Sequence, residues 1–238
     1  MRTTILSIMA TIGSLIGLVR CRSIQVTERK LQYCGSADQP TIETFGDPEV
    51  GPGIWVTNND RNSNAQYFLY ENSRDQKPWK FLSIPQGTCA FVQVCDTFQG
   101  RIVRGNVAVN LDGQSHTLGT WVEFSVTDGT VWGDISFLEG SDGGAIIVAT
   151  DGSGVSRGCE ADLLTGAPAD ALRINNGGNA VVDTVVDKPW RAGNAAAKQW
   201  LLQQCGSTSD QVYLAEPNHS IISSANARFE VVFVDGVA

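Results

Sequence analysis

The amino-acid sequence predicts an all-β fold, and three observations support this. The chain contains 25 glycines, and Asp-Gly, Gly-Ser and Asn-Asn steps recur along it, as expected of short strands joined by turns. From residue 54 onward, short apolar segments with strand character follow one another between these turns. One Asp-Gly step, at residues 128–129, stands between two such segments and is typical of a β-hairpin.

Length and composition predict one main globular domain. The 238 residues are 42% hydrophobic and 18% charged, and a chain of this length can bury a full core. The formal charge is −8 and the sequence contains no basic cluster, which argues against a nucleic-acid partner. Neutral or cationic partners suit this charge better.

The N-terminus predicts export from the cell. Arg2 precedes an apolar run from Ile5 to Val19 that is short for a membrane span, so residues 1–21 are interpreted as a signal peptide, with a short signal anchor as the alternative. No second apolar run is long enough to cross a bilayer, so we expect a secreted, extracellular protein without stable membrane insertion. Residues 22–52 are interpreted as a polar N-terminal extension and residues 53–238 as the folded domain.

Cysteine usage favours disulfide bonds over a metal site. If Cys21 is retained, six cysteines can form three disulfides; if it is removed, one thiol is left over. No C-x2-C pair is present, and both histidines are isolated, so a zinc site is not expected. No other metal and no cofactor is predicted for this chain. Asn218-His219-Ser220 is a candidate glycosylation sequon. The six cysteines are Cys21, Cys34, Cys89, Cys95, Cys159 and Cys205.

Strands and one helix are predicted along the domain. A helical insert is expected near residues 192–205, because the stretch from Asn194 to Cys205 opens with an N-cap residue and is rich in helix formers. Ala197, Trp200 and Leu201 share one face of this helix, which we expect to pack on the sheets. The expected strands are Ile54–Thr57, Tyr67–Tyr70, Phe81–Ile84, Cys89–Val94, Arg101–Val109, both arms of the 121–137 hairpin, Ala145–Ala149 and Arg228–Val234.

The hairpin at 128–129 places two acids opposite each other. A two-residue type I′ loop at Asp128-Gly129 pairs Val122 with Ile135 and Glu123 with Asp134. Like charges so placed destabilise a sheet, and such a pair raises the pKa of one carboxyl and suits acid/base chemistry or cation binding. A solvated surface pair is the alternative interpretation.

Several motifs in this order resemble the thaumatin-like protein family, which includes the osmotins. Gly133-Asp-Ile-Ser-Phe-Leu-Glu-Gly140, at nearly the family's spacing after Leu118-Gly-Thr-Trp-Val-Glu-Phe-Ser-Val126, is the most specific of them. Gly53–Asn59, Gly100–Arg104, Arg157–Leu163, Ser209–Tyr213 and Ala227–Phe233 resemble other family segments, so the similarity spans about residues 53–234. The chain has far fewer cysteines than plant members and is more similar to divergent fungal secreted members.

The resemblance implies a thaumatin-like β-sandwich with a reduced loop and helix region beside an acidic cleft. It implies a Cys159–Cys205 disulfide, because the segments after the two cysteines match those after a family pair. Since Gly100–Arg104 is one residue shorter than the family motif, Arg101 is an alternative to Arg104 in the cleft. By position, the residues of the implied ligand-binding cleft are Arg104, Glu123, Asp134, Glu139 and Asp210.

Three functions are compatible with this cleft. The first is binding of β-1,3-glucan or another cell-wall glycan through carboxylates that accept hydrogen bonds from sugar hydroxyls. The second is a weak endo-β-1,3-glucanase, with Glu123 and Asp134 as the catalytic pair. The third is a secreted effector or antimicrobial protein that binds an extracellular protein partner.

Overall fold

The fold is described from a computed structural model in which residues 40–60, 65–74, 76–115, 118–206, 210–214 and 220–237 are placed. The predicted signal peptide, most of the polar extension and the sequon at Asn218 lie outside these ranges. Within the ranges, the chain forms fourteen strands, two α-helices and two short 3-10 helices. None of these helices has the length and apolar character that crossing a membrane requires.

The elements are numbered in chain order. The strands are β1 (Ile42–Glu43), β2 (Gly53–Asn59), β3 (Ala65–Glu71), β4 (Lys80–Ile84), β5 (Thr88–Gln93), β6 (Gln99–Gly105), β7 (Trp121–Thr127), β8 (Thr130–Ser136), β9 (Gly144–Ala149), β10 (Ser156–Cys159), β11 (Leu172–Ile174), β12 (Ala180–Val182), β13 (Ile222–Ser224) and β14 (Arg228–Val234). The α-helices are α1 (Val107–Asn110) and α2 (Ala195–Cys205), and the 3-10 helices are Asn72–Arg74 and Ala169–Ala171.

Two main sheets pack against each other around one large apolar core. The seven-stranded sheet has the order β1-β4-β3-β6-β7-β8-β13, and the five-stranded sheet has the order β10-β9-β14-β2-β5. Neighbouring strands are antiparallel except for β1 with β4 and β2 with β14. Strands β11 and β12 form a separate hairpin. The predicted all-β class is therefore confirmed.

Alternating residues decide which side of each strand faces the core. In β14, Phe229, Val231 and Phe233 are fully buried between the sheets, while Glu230 points away from them. The same alternation in β7 buries Val122, Phe124 and Val126. The intervening residues of β7 and β8 consequently lie on the outer face of the seven-stranded sheet.

Helix α2 forms where the sequence predicts it. The Asn194 side chain caps it by accepting a hydrogen bond from the Ala197 amide at 3.0 Å. Ala197 and Leu201 are fully buried, and the Trp200 indole donates to the Leu163 carbonyl at 2.9 Å. The predicted packing face of the helix is thus confirmed.

A disulfide joins Cys159 at the end of β10 to Cys205 at the end of α2, with 5.1 Å between the Cα atoms. This is the pairing that the family resemblance implies. Cys89 and Cys95 are also disulfide-bonded, and no cysteine within the described ranges is free. The remaining two, Cys21 and Cys34, lie outside those ranges.

The structure corrects one predicted strand. The strand expected over Arg101–Val109 ends at Gly105, because the Asn106 side chain accepts a hydrogen bond from the Val109 amide at 3.1 Å and starts helix α1 instead. The described part of the polar extension belongs to the fold, since its strand β1 pairs with β4 at the edge of the seven-stranded sheet. Its Asp47 is buried and accepts a hydrogen bond at 2.5 Å from the ammonium of Lys80, which is itself fully buried.

Candidate functional site

The 121–137 hairpin brings Glu123 and Asp134 together as the sequence predicts. Asp128 and Gly129 both adopt positive φ, 51° and 73°, which a type I′ turn requires. Glu123 is therefore paired directly with Asp134, and the other predicted partners also match. Directly opposed residues have Cβ atoms about 4.5–5.5 Å apart. Two carboxylates therefore stand side by side on the outer face of the sheet.

Arg101 extends this row onto the next strand. The register pairs Arg101 of β6 with Glu123 of β7, so Arg101, Glu123 and Asp134 form one line across three strands. The Arg101 guanidinium lies between two aromatic rings, 4.8 Å from the centre of Tyr70 and 4.0 Å from that of Trp121. Only 4% of Arg101 is exposed. Its charge is therefore held in place beside the Glu123 carboxyl.

Burial raises the pKa of Glu123 above its ordinary value, and the carboxylate of Glu139 adds to the rise. The Ser136 hydroxyl and the Arg101 guanidinium act in the opposite direction but do not cancel the effect of burial. The environment of Glu123 thus favours a protonated carboxyl more than water does. A carboxyl of this kind can serve as a proton donor.

Arg104, which the resemblance places in the cleft, lies on the other side of the sheet. Residues 101 and 104 are three positions apart on one strand, so their side chains point to opposite faces. The Arg104 guanidinium faces inward, 5.2 Å from the centre of the Phe233 ring. Arg101, the alternative raised by the shorter motif, is the arginine beside Glu123 and Asp134.

Arg104 is part of a buried ion-pair cluster with Asp60 and Asp142. It donates two hydrogen bonds of 2.9 Å to Asp60 and one of 2.9 Å to Asp142. The Gly236 amide also donates to Asp60 at 2.8 Å, which fastens the C-terminal segment to this cluster. The arrangement links four distant segments of the chain. The Arg104 guanidinium is thus paired with buried carboxylates inside the fold and does not lie beside Glu123 and Asp134.

Glu139 and Asp210 lie near the end of β8 but outside the pair itself. Glu139 follows β8 in a tight turn and forms an ion pair with Lys188, and its charge acts on Glu123. Asp210 is exposed, three residues before Tyr213, which bridges to Ser136. The structure thus joins Glu123 with Asp134, places Glu139 close by and leaves Asp210 at the periphery.

An open groove of about 370 Å³ runs over the acidic pair. This outer-face groove is lined by Asn72, Gln99, Gly100, Glu123, Phe124, Ser125, Trp132, Gly133, Asp134 and Ile221. Trp132 is 49% exposed and Ile221 is 51% exposed, so the groove combines carboxylates with accessible apolar surface. Such a combination is typical of ligand sites.

Sequence reasoning missed Trp132 as a site residue. The sequence contains the information needed to predict it. Trp132 and Asp134 are two residues apart in one strand, so both side chains lie on the same face of the sheet. No group of three or more metal-binding side chains was found among the described residues.

No protein-family model and no curated protein sequence matches this chain. Among solved structures, a thaumatin-like xylanase inhibitor is similar over 77% of this chain and 99% of its own length, with 13% identity and a TM-score of 0.43. A laminaripentaose-producing β-1,3-glucanase, in complex with laminaritetraose, is similar over 64% of this chain and 54% of its own length, with 13% identity and a TM-score of 0.35. At these values, neither similarity assigns an activity to this chain.

Proposed function

We propose that this chain is a secreted thaumatin-like protein that binds β-1,3-glucan or a related cell-wall glycan in the outer-face groove. The observation that carries the proposal is the half-exposed Trp132 beside Glu123 and Asp134 in one open groove. An exposed indole offers the flat apolar surface on which the C–H face of a sugar ring packs. Neighbouring carboxylates accept hydrogen bonds from the sugar hydroxyls.

The charge of the site suits a neutral ligand. Two adjacent carboxylates repel anions, and the one arginine in the row is largely buried between aromatic rings. Arg101 acts here as a positioning residue that keeps the Glu123 carboxyl in place. A glycan without acidic groups gains hydrogen bonds from this arrangement without meeting a repulsive charge.

Binding of laminarin to the purified protein, measured by calorimetry, tests the proposal. Trp132→Ala should lower the affinity about tenfold, in line with the loss of a central aromatic contact. Glu123→Gln should lower it only modestly, because the amide keeps one acceptor oxygen. Phe45→Ala, which removes an aromatic side chain that is 80% exposed and outside the groove, is the matched control and should leave the affinity unchanged.

Two outcomes would contradict the proposal. One is a wild-type protein that does not bind laminarin, in which case a search for extracellular protein partners by pull-down becomes the better course. The other is unchanged affinity in Trp132→Ala, which would place any glycan binding elsewhere on the molecule.

Secretion is part of the same proposal. The apolar N-terminal run and the Cys159–Cys205 disulfide both suit an oxidising, extracellular compartment. Expression of the full chain in a eukaryotic host should release a shortened protein into the medium. Mass spectrometry of that protein gives the cleavage point and shows whether Asn218 carries a glycan. Retention of the full-length chain in the membrane fraction would instead favour the signal-anchor alternative.

A weak endo-β-1,3-glucanase is the second candidate, and the raised pKa of Glu123 favours it. A glycosidase needs one carboxyl that keeps its proton and a second that is ionised. Glu123 would protonate the glycosidic oxygen, and Asp134 would act as nucleophile or base. Both groups already lie on adjacent strands of one groove.

Reducing-sugar release from laminarin separates this candidate from simple binding. If Glu123 is the acid, Glu123→Gln should lower turnover by about 10²–10⁴, the usual contribution of general acid catalysis, while laminarin binding persists. Glu49→Gln is the control, because Glu49 is a surface carboxylate paired with Arg228 and lies outside the groove. Equal turnover in wild type and Glu123→Gln would exclude Glu123 as the acid.

A further inference from the structure

A second exposed tryptophan, Trp190, stands at the tip of a tight turn. Lys188 and Arg191 are hydrogen-bonded to each other through both backbone pairs, at 2.7 and 3.1 Å, and Pro189 and Trp190 occupy the corner between them. Trp190 is 79% exposed, more than any other tryptophan in the described parts of the chain. An indole left so accessible buries little of its apolar surface in the fold itself.

Both ends of this turn are fixed by ion pairs. Lys188 binds the carboxylate of Glu139, and Arg191 donates two hydrogen bonds of 2.7 and 2.8 Å to Asp183. Asp183 is itself buried. The backbone of the turn is therefore fixed before any ligand arrives, so only the Trp190 side chain remains to be ordered on binding.

The Lys188–Arg191 turn is linked through Glu139 to the segment that follows β8. Along the outer face of β8, the residues run in the order Trp132, Asp134 and Ser136, and Glu139 follows in the next turn. Glu139 binds Lys188 on one side and acts electrostatically on Glu123 on the other. Trp132 thus lies near the start of β8, and the turn that carries Trp190 is linked to the segment after its end. Asp134 lies between these two points along the strand.

The spacing exceeds what one sugar ring can fill. Trp132 and Ser136 are four residues apart, about 13 Å at the usual rise of a strand. The turn at Lys188 is joined to Glu139, three residues further along the chain. The distance between Trp132 and Ser136 is more than twice the width of a six-membered ring. A ligand that reaches both ends has to be a chain.

We propose that the Lys188–Arg191 turn provides a second aromatic contact for the same ligand, so that the outer-face groove binds an extended glycan of several sugar units. This inference rests on the proposed function and specifies the length of the ligand. Trp132 packs against one part of the chain, the acids bind hydroxyls in the middle, and Trp190 packs against a more distant unit.

The test is calorimetric titration of the full protein with laminari-oligosaccharides of two to six units. In the wild type, affinity should rise with chain length. Trp190→Ala should leave binding of the two-unit sugar unchanged and lower affinity for the six-unit sugar about tenfold. Trp132→Ala should weaken binding of every length, and Phe45→Ala, a variant of an equally exposed aromatic side chain, should change none.

The outcomes separate this inference from the proposed function. If the wild type binds the six-unit sugar and Trp190→Ala binds it equally well, the function stands and the second contact is wrong. Trp190 would then be free for a protein partner. Equal affinity of the wild type for two and six units would also overturn the inference. If no oligosaccharide and no laminarin binds, the proposed function fails and the inference fails with it.

Discussion

Replacing Glu123 with glutamine should make the protein more stable at neutral pH. The substitution keeps the size of the side chain and removes one of two negative charges that lie directly opposite each other in β7 and β8. Like charges at such positions cost about 0.2–1 kcal/mol. For a domain of this size, a gain near the upper end raises the melting temperature by about 2–4 °C. The loss of attraction to Arg101 offsets part of this gain.

The gain in stability from Glu123→Gln should be larger at pH 7 than at pH 4. Because burial raises the pKa of Glu123, the folded protein keeps the proton to higher pH than the unfolded chain does. The stability contributed by the protonated carboxyl is complete below the unfolded pKa, about 4.3, and is lost as pH rises through the folded value. Wild type and Glu123→Gln should therefore be similar in stability near pH 4, and the variant should be more stable at pH 7.

Thermal unfolding followed by circular dichroism at pH 4, 5.5 and 7 measures this difference. Glu49→Gln serves as the control, since Glu49 is an exposed partner of Arg228 and its removal should bring no gain at any of these pH values. A Glu123→Gln variant that melts below wild type at pH 7 would refute the reasoning. It would mean that attraction to Arg101 outweighs both burial and the opposed charge of Asp134.

Two further predictions concern the framework of the site. Replacing both Cys159 and Cys205 with serine removes a disulfide that closes a loop with a sequence separation of 46 residues. In the loop-entropy model this loss costs about 4 kcal/mol of stability, so the urea midpoint should fall. An unchanged midpoint would contradict this expectation. Arg104→Met leaves Asp60 and Asp142 buried without their cation, so urea unfolding should show a loss of about 3–5 kcal/mol, part of which returns when Asp60→Asn is added; a loss below 1 kcal/mol would show that the cluster is not stabilising.

The hairpin shows what the sequence could predict. Its register depends on local information: a two-residue turn that needs positive φ, and flanking segments in which apolar residues alternate. Once the turn was identified, every pair followed by counting outward from it. Helix α2 was predictable for the same reason, since its cap at Asn194 and its apolar face lie within one short stretch.

Local sequence could not predict which arginine, Arg101 or Arg104, lies beside Glu123 and Asp134. Arg104 is held by Asp60 and Asp142, which are 44 and 38 residues away in sequence, and no local pattern indicates these partners. The short strands β10 to β13 were missed because each has only three or four residues and depends on neighbours for its pairing. Trp190 was missed for a related reason, since its turn is linked to Glu139 by an ion pair with Lys188, 49 residues away in sequence.

Arg101 and Arg104 show how one strand can supply both stability and a site. They are three positions apart in β6, so one arginine points into the core and the other points to the outer face. The inner one is neutralised by two buried carboxylates and ties the C-terminal segment to the sheets. The outer one lies between aromatic rings, in line with two acids that the hairpin register places directly opposite each other. Burial of the Glu123 carboxyl carries a desolvation cost that a neutral residue would not have, and this cost favours a site kept for a ligand.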